Sequence, residues 1–251
     1  MSREFDVRKH TEGIIEFIRN YFRENNLRGI VLGISGGKDS GVVAGLCSLA
    51  LGPENVIGIT MPCHSNPTDK SDAHLVAEKF GFEMLNMDLT STYDAFVAEA
   101  GKIADCSNPL SNANINLKPR LRMATNYYIA ALMSEVRGGT WIVAGTSNKC
   151  ELYVGYFTKG GDSTYDIGIL NDLTVEEVIA VGAYIGVPDP VLYKAPNDGL
   201  SAKTDEDKMG VRYSEIAKVI NGEEGEGHER IEQLHRNAAH KFHTPYYKKC
   251  D

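Results

Sequence analysis

The chain has 251 residues, enough for one large domain, 1–251, with a sizeable core. Its 26 basic and 34 acidic residues leave a formal charge of −8, which argues against nucleic acid as a main partner. Hydrophobic residues make up 42%, an ordinary globular share, and no apolar run approaches the roughly 20 residues of a membrane helix.

Taken in order, residues 5–26 carry Ile14, Phe17, Ile18, Tyr21 and Phe22 at helical spacing. This predicts an amphipathic helix without chemistry. An apolar strand at 29–33 follows, then a Gly-rich turn and a helix over 41–51. Residues 56–61 read as a second strand, 63–69 as a loop, 70–80 as a helix, 82–87 as a third strand and 91–104 as a helix. Strand–helix–strand spacing implies right-handed crossovers between parallel strands. The fold class expected is therefore α/β, a doubly wound, mostly parallel sheet flanked by helices.

Residues 107–116 are polar and turn-rich, and a long helix is expected over 117–136. Arg120 and Arg122 near its start oppose the positive end of the helix dipole, so an anion is one reason to keep them; solvated surface arginines are the other. A fourth strand at 141–145 leads into a loop with Thr146 and Glu151. Residues 155–162 read as a glycine-rich loop and 166–170 as a short strand. Thr174 and Glu177 form a capping-box pattern that starts a helix ending at Ile185. Residues 194–208 read as a flap, expected to order with 107–116 when ligands bind. Helices at 214–220 and 229–241 complete the chain. The five cysteines are odd in number and form no CxxC pair, so neither a zinc site nor a disulfide framework is indicated. With no signal-peptide character at the start, a cytoplasmic setting is expected.

Chemistry concentrates in Gly33-Ile34-Ser35-Gly36-Gly37-Lys38-Asp39-Ser40. A glycine-rich turn from strand to helix lets backbone N–H groups face an anion, and Ser35 and Ser40 add hydroxyls. The pattern is neither G-x-x-x-x-G-K-[ST] nor G-x-G-x-x-G. Asp39 would repel a phosphate unless a cation intervenes, and Mg²⁺ prefers one or two carboxylates plus phosphate oxygens. If the first and fourth strands are neighbours, Glu151 and Asp39 share one Mg²⁺. Thr60 and Met61, at the end of the second strand, are a place for adenine, with plain core as the alternative. Lys38 reads equally well as a phosphate contact or a solvated lysine. No Ser-His-Asp triad or activated cysteine is discernible.

The S-G-G-x-D-S turn resembles the signature of the N-type ATP pyrophosphatases, which split ATP between its α- and β-phosphates and have an adenine nucleotide alpha hydrolase-like, Rossmann-like fold. Further pieces resemble the ammonia-dependent NAD synthetases. These are Lys118-Pro119-Arg120-Leu121-Arg122-Met123, Gly145-Thr146 with Glu151, Gly155-Tyr156-Phe157-Thr158-Lys159 and residues 162–166. Leu192-Tyr193-Lys194-Ala195-Pro196, Asp205-Glu206 and His240-Lys241 with Pro245 continue the likeness. The resemblance implies that Gly33 to Ser40, Thr146 and Asn197 bind ATP, with Lys38, Asp39 and Glu151 catalytic and the two carboxylates on Mg²⁺. It implies Arg120, Lys159, Asp166, His240 and Lys241 for deamido-NAD, and ammonia as the nitrogen source. It also implies a homodimer with the dinucleotide site at the subunit interface, the 117–136 helix included. The family's ATP-contacting lysine is replaced by Val175, for which Lys149 or Lys194 is the candidate substitute; Asn197 stands where Thr or Ser is usual. Other ATP pyrophosphatases and a non-catalytic nucleotide-binding module are the competing readings. A glutaminase needs a further domain, tRNA thiolation a basic surface and paired cysteines, and a mere binding module would lack the paired carboxylates.

Overall fold

The computed structural model describes residues 5–64, 68–194, 204–245 and 247. Five strands form a parallel sheet in the order β3-β2-β1-β4-β5. They are β1 (Leu27–Gly33), β2 (Val56–Thr60), β3 (Glu83–Asn86), β4 (Thr140–Gly145) and the short β5 (Ile167–Gly168). The centre of β1 and all of β2 are buried, which is why they read as unbroken apolar runs.

Helices cover both faces. On one face α1 (Val7–Glu24), α2 (Lys38–Leu51), α3 (Thr68–Phe80) and α7 (Val175–Ile185) bring Ile18, Val42, Leu46, Val76 and Val181 onto Ile30 and Leu32. On the other, α4 (Thr90–Ala100) and α5 (Asn112–Arg137) bring Tyr93 and Ala130 onto Val31, Ile57, Ile59 and Val143. Alternate residues of β1 thus serve opposite layers, as the period of a strand requires. Each such side chain contributes on the order of 2 kcal/mol when fully buried. A third apolar cluster joins α6 (Lys149–Val154), α9 (Asp205–Met209), α10 (Tyr213–Ile220) and α11 (His228–Phe242) through Cys150, Met209, Ile216 and Ile231. The small α8 (Asp189–Leu192) closes the end of α7. Among the described residues no helix is long and apolar enough to cross a membrane.

Several boundaries differ from expectation. α5 begins at Asn112, capped by the Ser111 hydroxyl, and carries Pro119 inside it. The supposed 107–116 loop is therefore helical from Asn112, and Asn114 Nδ2 donates to the carbonyls of Cys106 (2.9 Å) and Asn108 (2.7 Å). Arg120 and Arg122 then lie more than two turns into the helix, where the dipole no longer acts, so the dipole gives no reason for an anion there. The expected loop after β4 contains α6, and Glu151 is helical. The expected flap contains α9; its residues 195–203 lie outside the described residues. The capping box of α7 forms as predicted, with Thr174 N donating to Glu177 Oε2 at 2.7 Å.

Candidate active site

In a doubly wound sheet the crevice opens where strand order reverses, beyond the carboxyl ends of the strands. Here that point lies between β1 and β4, which pair directly. The turn after β1 and the segment after β4 consequently face each other.

The turn after β1 builds an anion cradle. Gly36 has φ +80°, a conformation other residues rarely adopt. Ile34 N continues the ladder by donating to the Ile59 carbonyl at 2.9 Å. Ser35 and Ser40 hydroxyls lie 3.2 Å apart, and Gly37 N donates to Ser35 Oγ at 3.2 Å. Gly37 is the N-cap of α2 and offers no side chain, so the first-turn N–H groups are not capped from within.

Lys38 is buried, with its ammonium 3.1 Å from Asp39 Oδ2. Burial works against its charge, but Asp39, Glu151 and Asp205 outweigh that and hold the lysine above its usual range. The ammonium also sits 5.8 Å from the centre of the buried Tyr213 ring. Lys38 is thus a fixed cation of the site rather than a solvated lysine.

After β4, Asn148 is the N-cap of α6 and Glu151 its third residue, in a complete capping box. Asn148 N donates to Glu151 Oε2 at 3.1 Å, and Asn148 Nδ2 to Asp39 Oδ1 at 3.3 Å. Loss of solvation and the neighbouring Asp39 charge raise Glu151 well above the ordinary carboxylate range. Lys38 already neutralises part of this charge, and the two carboxylates offer hard oxygen donors of the kind that could also hold a divalent cation such as Mg²⁺. Thr146 stands on the same segment, just beyond β4.

A second group forms around the 155–162 loop. Lys159 Nζ donates to the His240 carbonyl at 2.8 Å, and the Arg120 guanidinium donates to the Lys159 carbonyl at 3.3 Å. Lys241 Nζ donates to the carbonyls of Gly155 (2.7 Å) and Phe157 (2.8 Å) and is lowered in pKa by burial. The His240 ring contacts the Asn237 carbonyl at 2.9 Å. A groove of about 300 Å³ runs beside this loop, lined by Tyr156, Asn237 and His240 among others. Arg120, Lys159, His240 and Lys241 are therefore brought together. Asp166 stands apart, accepting from Val143 N at 2.8 Å and from the Tyr127 hydroxyl at 3.1 Å. Burial, then Asp166, pushes Tyr127 up to about 12. Asn197 lies outside the described residues.

Each of the two lysines offered as substitutes for the missing one holds a carboxylate. Lys149 pairs with Asp172 at 2.8 Å and Lys194 with Asp72 at 2.7 Å, while Val175 is core.

Four residues escaped the sequence reading. Asn148 begins an N-x-x-E pattern, a signal that was present. Asp162 lies in the 162–166 piece of the resemblance but was given no role, and Tyr213 and Tyr127 had no local signal. Asp162 accepts from Thr158 N at 2.8 Å and is raised by burial, with Lys241 and Arg122 pulling the other way. Tyr213 N donates to Glu206 Oε1 at 2.8 Å, and Tyr156 OH to Asp205 Oδ1 at 3.1 Å. These bonds tie the 155–159 loop and Tyr213 to the Asp205-Glu206 pair, and the Tyr213 ring meets Lys38 of the turn after β1. Burial pushes the Cys150 thiol up to about 12, so it is no nucleophile at neutral pH.

A cradle for phosphate, a paired lysine and two facing carboxylates fit nucleotide chemistry, and known proteins bear on which. The family model described as NAD synthase matches residues 10–248. An NH3-dependent NAD⁺ synthetase of Carboxydothermus hydrogenoformans is 39% identical over 238 residues, 94% of this chain and 95% of that protein. One from Archaeoglobus fulgidus is 38% identical, covering 94% of this chain and 95% of that protein. Among solved structures, an NMN synthetase from Francisella tularensis superposes with a TM-score of 0.88 at 31% identity, covering 98% of this chain and 100% of that one. An NH3-dependent NAD synthetase from Campylobacter jejuni gives 0.77 at 27%, with the same coverage. The match spans the anchor turn, both carboxylates and the 155–162 loop together, and this chain belongs to the NAD synthase family.

Proposed function

We propose that this chain is a ligase that amidates deamido-NAD to NAD with ammonia, consuming ATP and releasing AMP and pyrophosphate. The observation that carries the reading is the meeting of Lys38, Asp39 and Glu151 at the strand-order reversal, beside an uncapped helix N-terminus. The substrate carboxylate attacks the α-phosphorus of ATP, and pyrophosphate leaves. Ammonia then attacks the acyl carbon of the adenylate, and AMP leaves. The protein forms no covalent bond to substrate in this scheme; positioning and charge neutralisation dominate.

In this reading the N–H groups of the α2 first turn, Ser35, Ser40 and Thr146 receive ATP phosphates. Lys38 offsets the charge that gathers on departing pyrophosphate. Asp39 and Glu151 hold Mg²⁺, which when bound supplies charge neutralisation at the phosphates. Arg120, Lys159, Asp166, His240 and Lys241 serve the dinucleotide. Lys241 does so by holding the loop through two carbonyls. Residues 1–251 act as one domain in the cytoplasm, with neither nucleic acid nor membrane as partner.

A homodimer belongs to the same reading. It is supported by the exposed Tyr128 and Val136 on α5, 64% and 70% accessible. Sedimentation equilibrium is expected to return twice the mass of the chain; a single-chain mass would count against it.

The likeness to the NMN synthetase favours a second reading in which the acceptor is the mononucleotide acid. The chemistry is the same and only the acceptor differs. The test is to supply Mg-ATP, an ammonium salt and either deamido-NAD or nicotinic acid mononucleotide, and to follow pyrophosphate and amide product together. A higher kcat/KM with deamido-NAD supports the first reading, and a higher value with the mononucleotide supports the second. Folded protein that binds ATP but releases no pyrophosphate with either acceptor would sink both.

A further inference from the structure

We propose that Asn148 is a positioning residue that locks the two candidate metal ligands to each other. The proposal rests on the reading of Asp39 and Glu151 as cation ligands. Asn148 is fully buried, and every polar atom of its side chain is used. Its Oδ1 accepts from Glu151 N at 3.0 Å and caps α6. Its Nδ2 donates to Asp39 Oδ1 at 3.3 Å, across 109 positions of sequence. Its backbone N donates to Glu151 Oε2 at 3.1 Å.

A helix cap alone does not require this residue. Serine, threonine and aspartate cap as well as asparagine. What distinguishes the carboxamide is that it accepts with one atom and donates with the other, in one plane. A serine at this position still accepts from Glu151 N but has nothing that reaches Asp39. An aspartate would set a third carboxylate against two. Asparagine alone of the common caps both starts α6 and clamps the opposite carboxylate.

The consequence is orientation before any cation arrives. Lys38 holds Asp39 Oδ2 at 3.1 Å while Asn148 holds Oδ1. In the capping box Glu151 uses Oε2, and among the described residues Oε1 accepts no hydrogen bond. Both carboxylates therefore have restricted rotamers and a free lone pair each. Partners that orient a ligand in this way typically change metal affinity or activity by about 10- to 100-fold when removed.

The experiment compares the parent, Asn148→Ser, Asn148→Ala and Asp39→Asn. Mn²⁺ binding is measured by electron paramagnetic resonance in the presence of α,β-methylene ATP, with thermal melting on the same samples. Asn148→Ser is expected to weaken Mn²⁺ at least about tenfold while its melting temperature stays close to the parent's. Asn148→Ala is expected to show the same loss of Mn²⁺ and a lower melting temperature, because the cap is gone. Unchanged Mn²⁺ binding in Asn148→Ser, alongside loss in Asp39→Asn, would overturn the proposal and leave the metal reading standing. Unchanged binding in Asp39→Asn would overturn the metal reading and the proposal with it. Asn148→Thr is a second cap-forming variant read in the same way, and failure of both cap-formers to fold would assign Asn148 to structure alone.

Discussion

Asp39→Asn is expected to lower kcat by about a thousandfold, the equivalent of roughly 4 kcal/mol of lost charge stabilisation in the transition state. ATP should still bind, because the α2 N–H groups, Ser35, Ser40 and Lys38 remain in place. The KM for ATP is therefore expected to move far less than kcat. Asparagine is isosteric, and its single Oδ1 can still accept from Asn148 Nδ2 while the Lys38 contact to the second oxygen is lost, so the turn should keep its overall shape. Glu151→Gln should behave alike, since the capping box needs only an acceptor for Asn148 N. It is also expected not to lower the melting temperature, because a carboxylate disfavoured by burial and by Asp39 has been replaced with a neutral group. Steady-state kinetics with separate kcat and KM, and calorimetry on the same preparations, check both. A variant that loses ATP binding in step with turnover would reassign these carboxylates to holding the turn.

Gly155→Ala is expected to be the most damaging single methyl in the chain. Gly155 is the C-cap of α6 with φ +68°, a backbone that costs alanine about 1 kcal/mol. A Cβ there would also stand well inside the van der Waals radius of Ala238 Cβ on α11. Overpacking of this kind typically costs about 1–3 kcal/mol, so a total near 3 kcal/mol is expected by chemical denaturation. The damage should reach substrate binding as well, because Lys241 from the same helix holds the Gly155 carbonyl at 2.7 Å. Ala238→Gly added to Gly155→Ala should recover the steric part and leave the backbone part. If the double variant is no more stable than Gly155→Ala, the contact with α11 is not the source of the loss.

The local elements were legible because local physics sets them. The apolar runs at β1 and β2 announce strands buried on both faces. Thr174-x-x-Glu177 announces a helix start, and both appear in the structure. The start of α5 was missed because the segment before Leu117 is polar and rich in turn residues. Burial of Asn114 and the Ser111 cap supply the missing support from tertiary packing. Arg120 was singled out for a dipole that does not reach it, and its place beside Lys159 follows instead from how the 155–162 loop docks on α5. Lys149 and Lys194, offered as substitutes for the missing lysine, pair with Asp172 and Asp72, partners that no local stretch of sequence announces.

The sequence by itself displayed the Gly-rich turn proposed to bind phosphate, the alternation of strands and helices, and the two carboxylates, more than a hundred residues apart, proposed as cation ligands. Those depend on residue type and short-range spacing, which a linear chain displays. Only the tertiary structure decided that β1 and β4 are neighbours, that Lys38 is buried against Asp39 and Tyr213, and that Asn148 spans the gap between the carboxylates. A strand's partner is set by how the helices cover both faces of the sheet, and that packing leaves no mark on any single stretch of sequence.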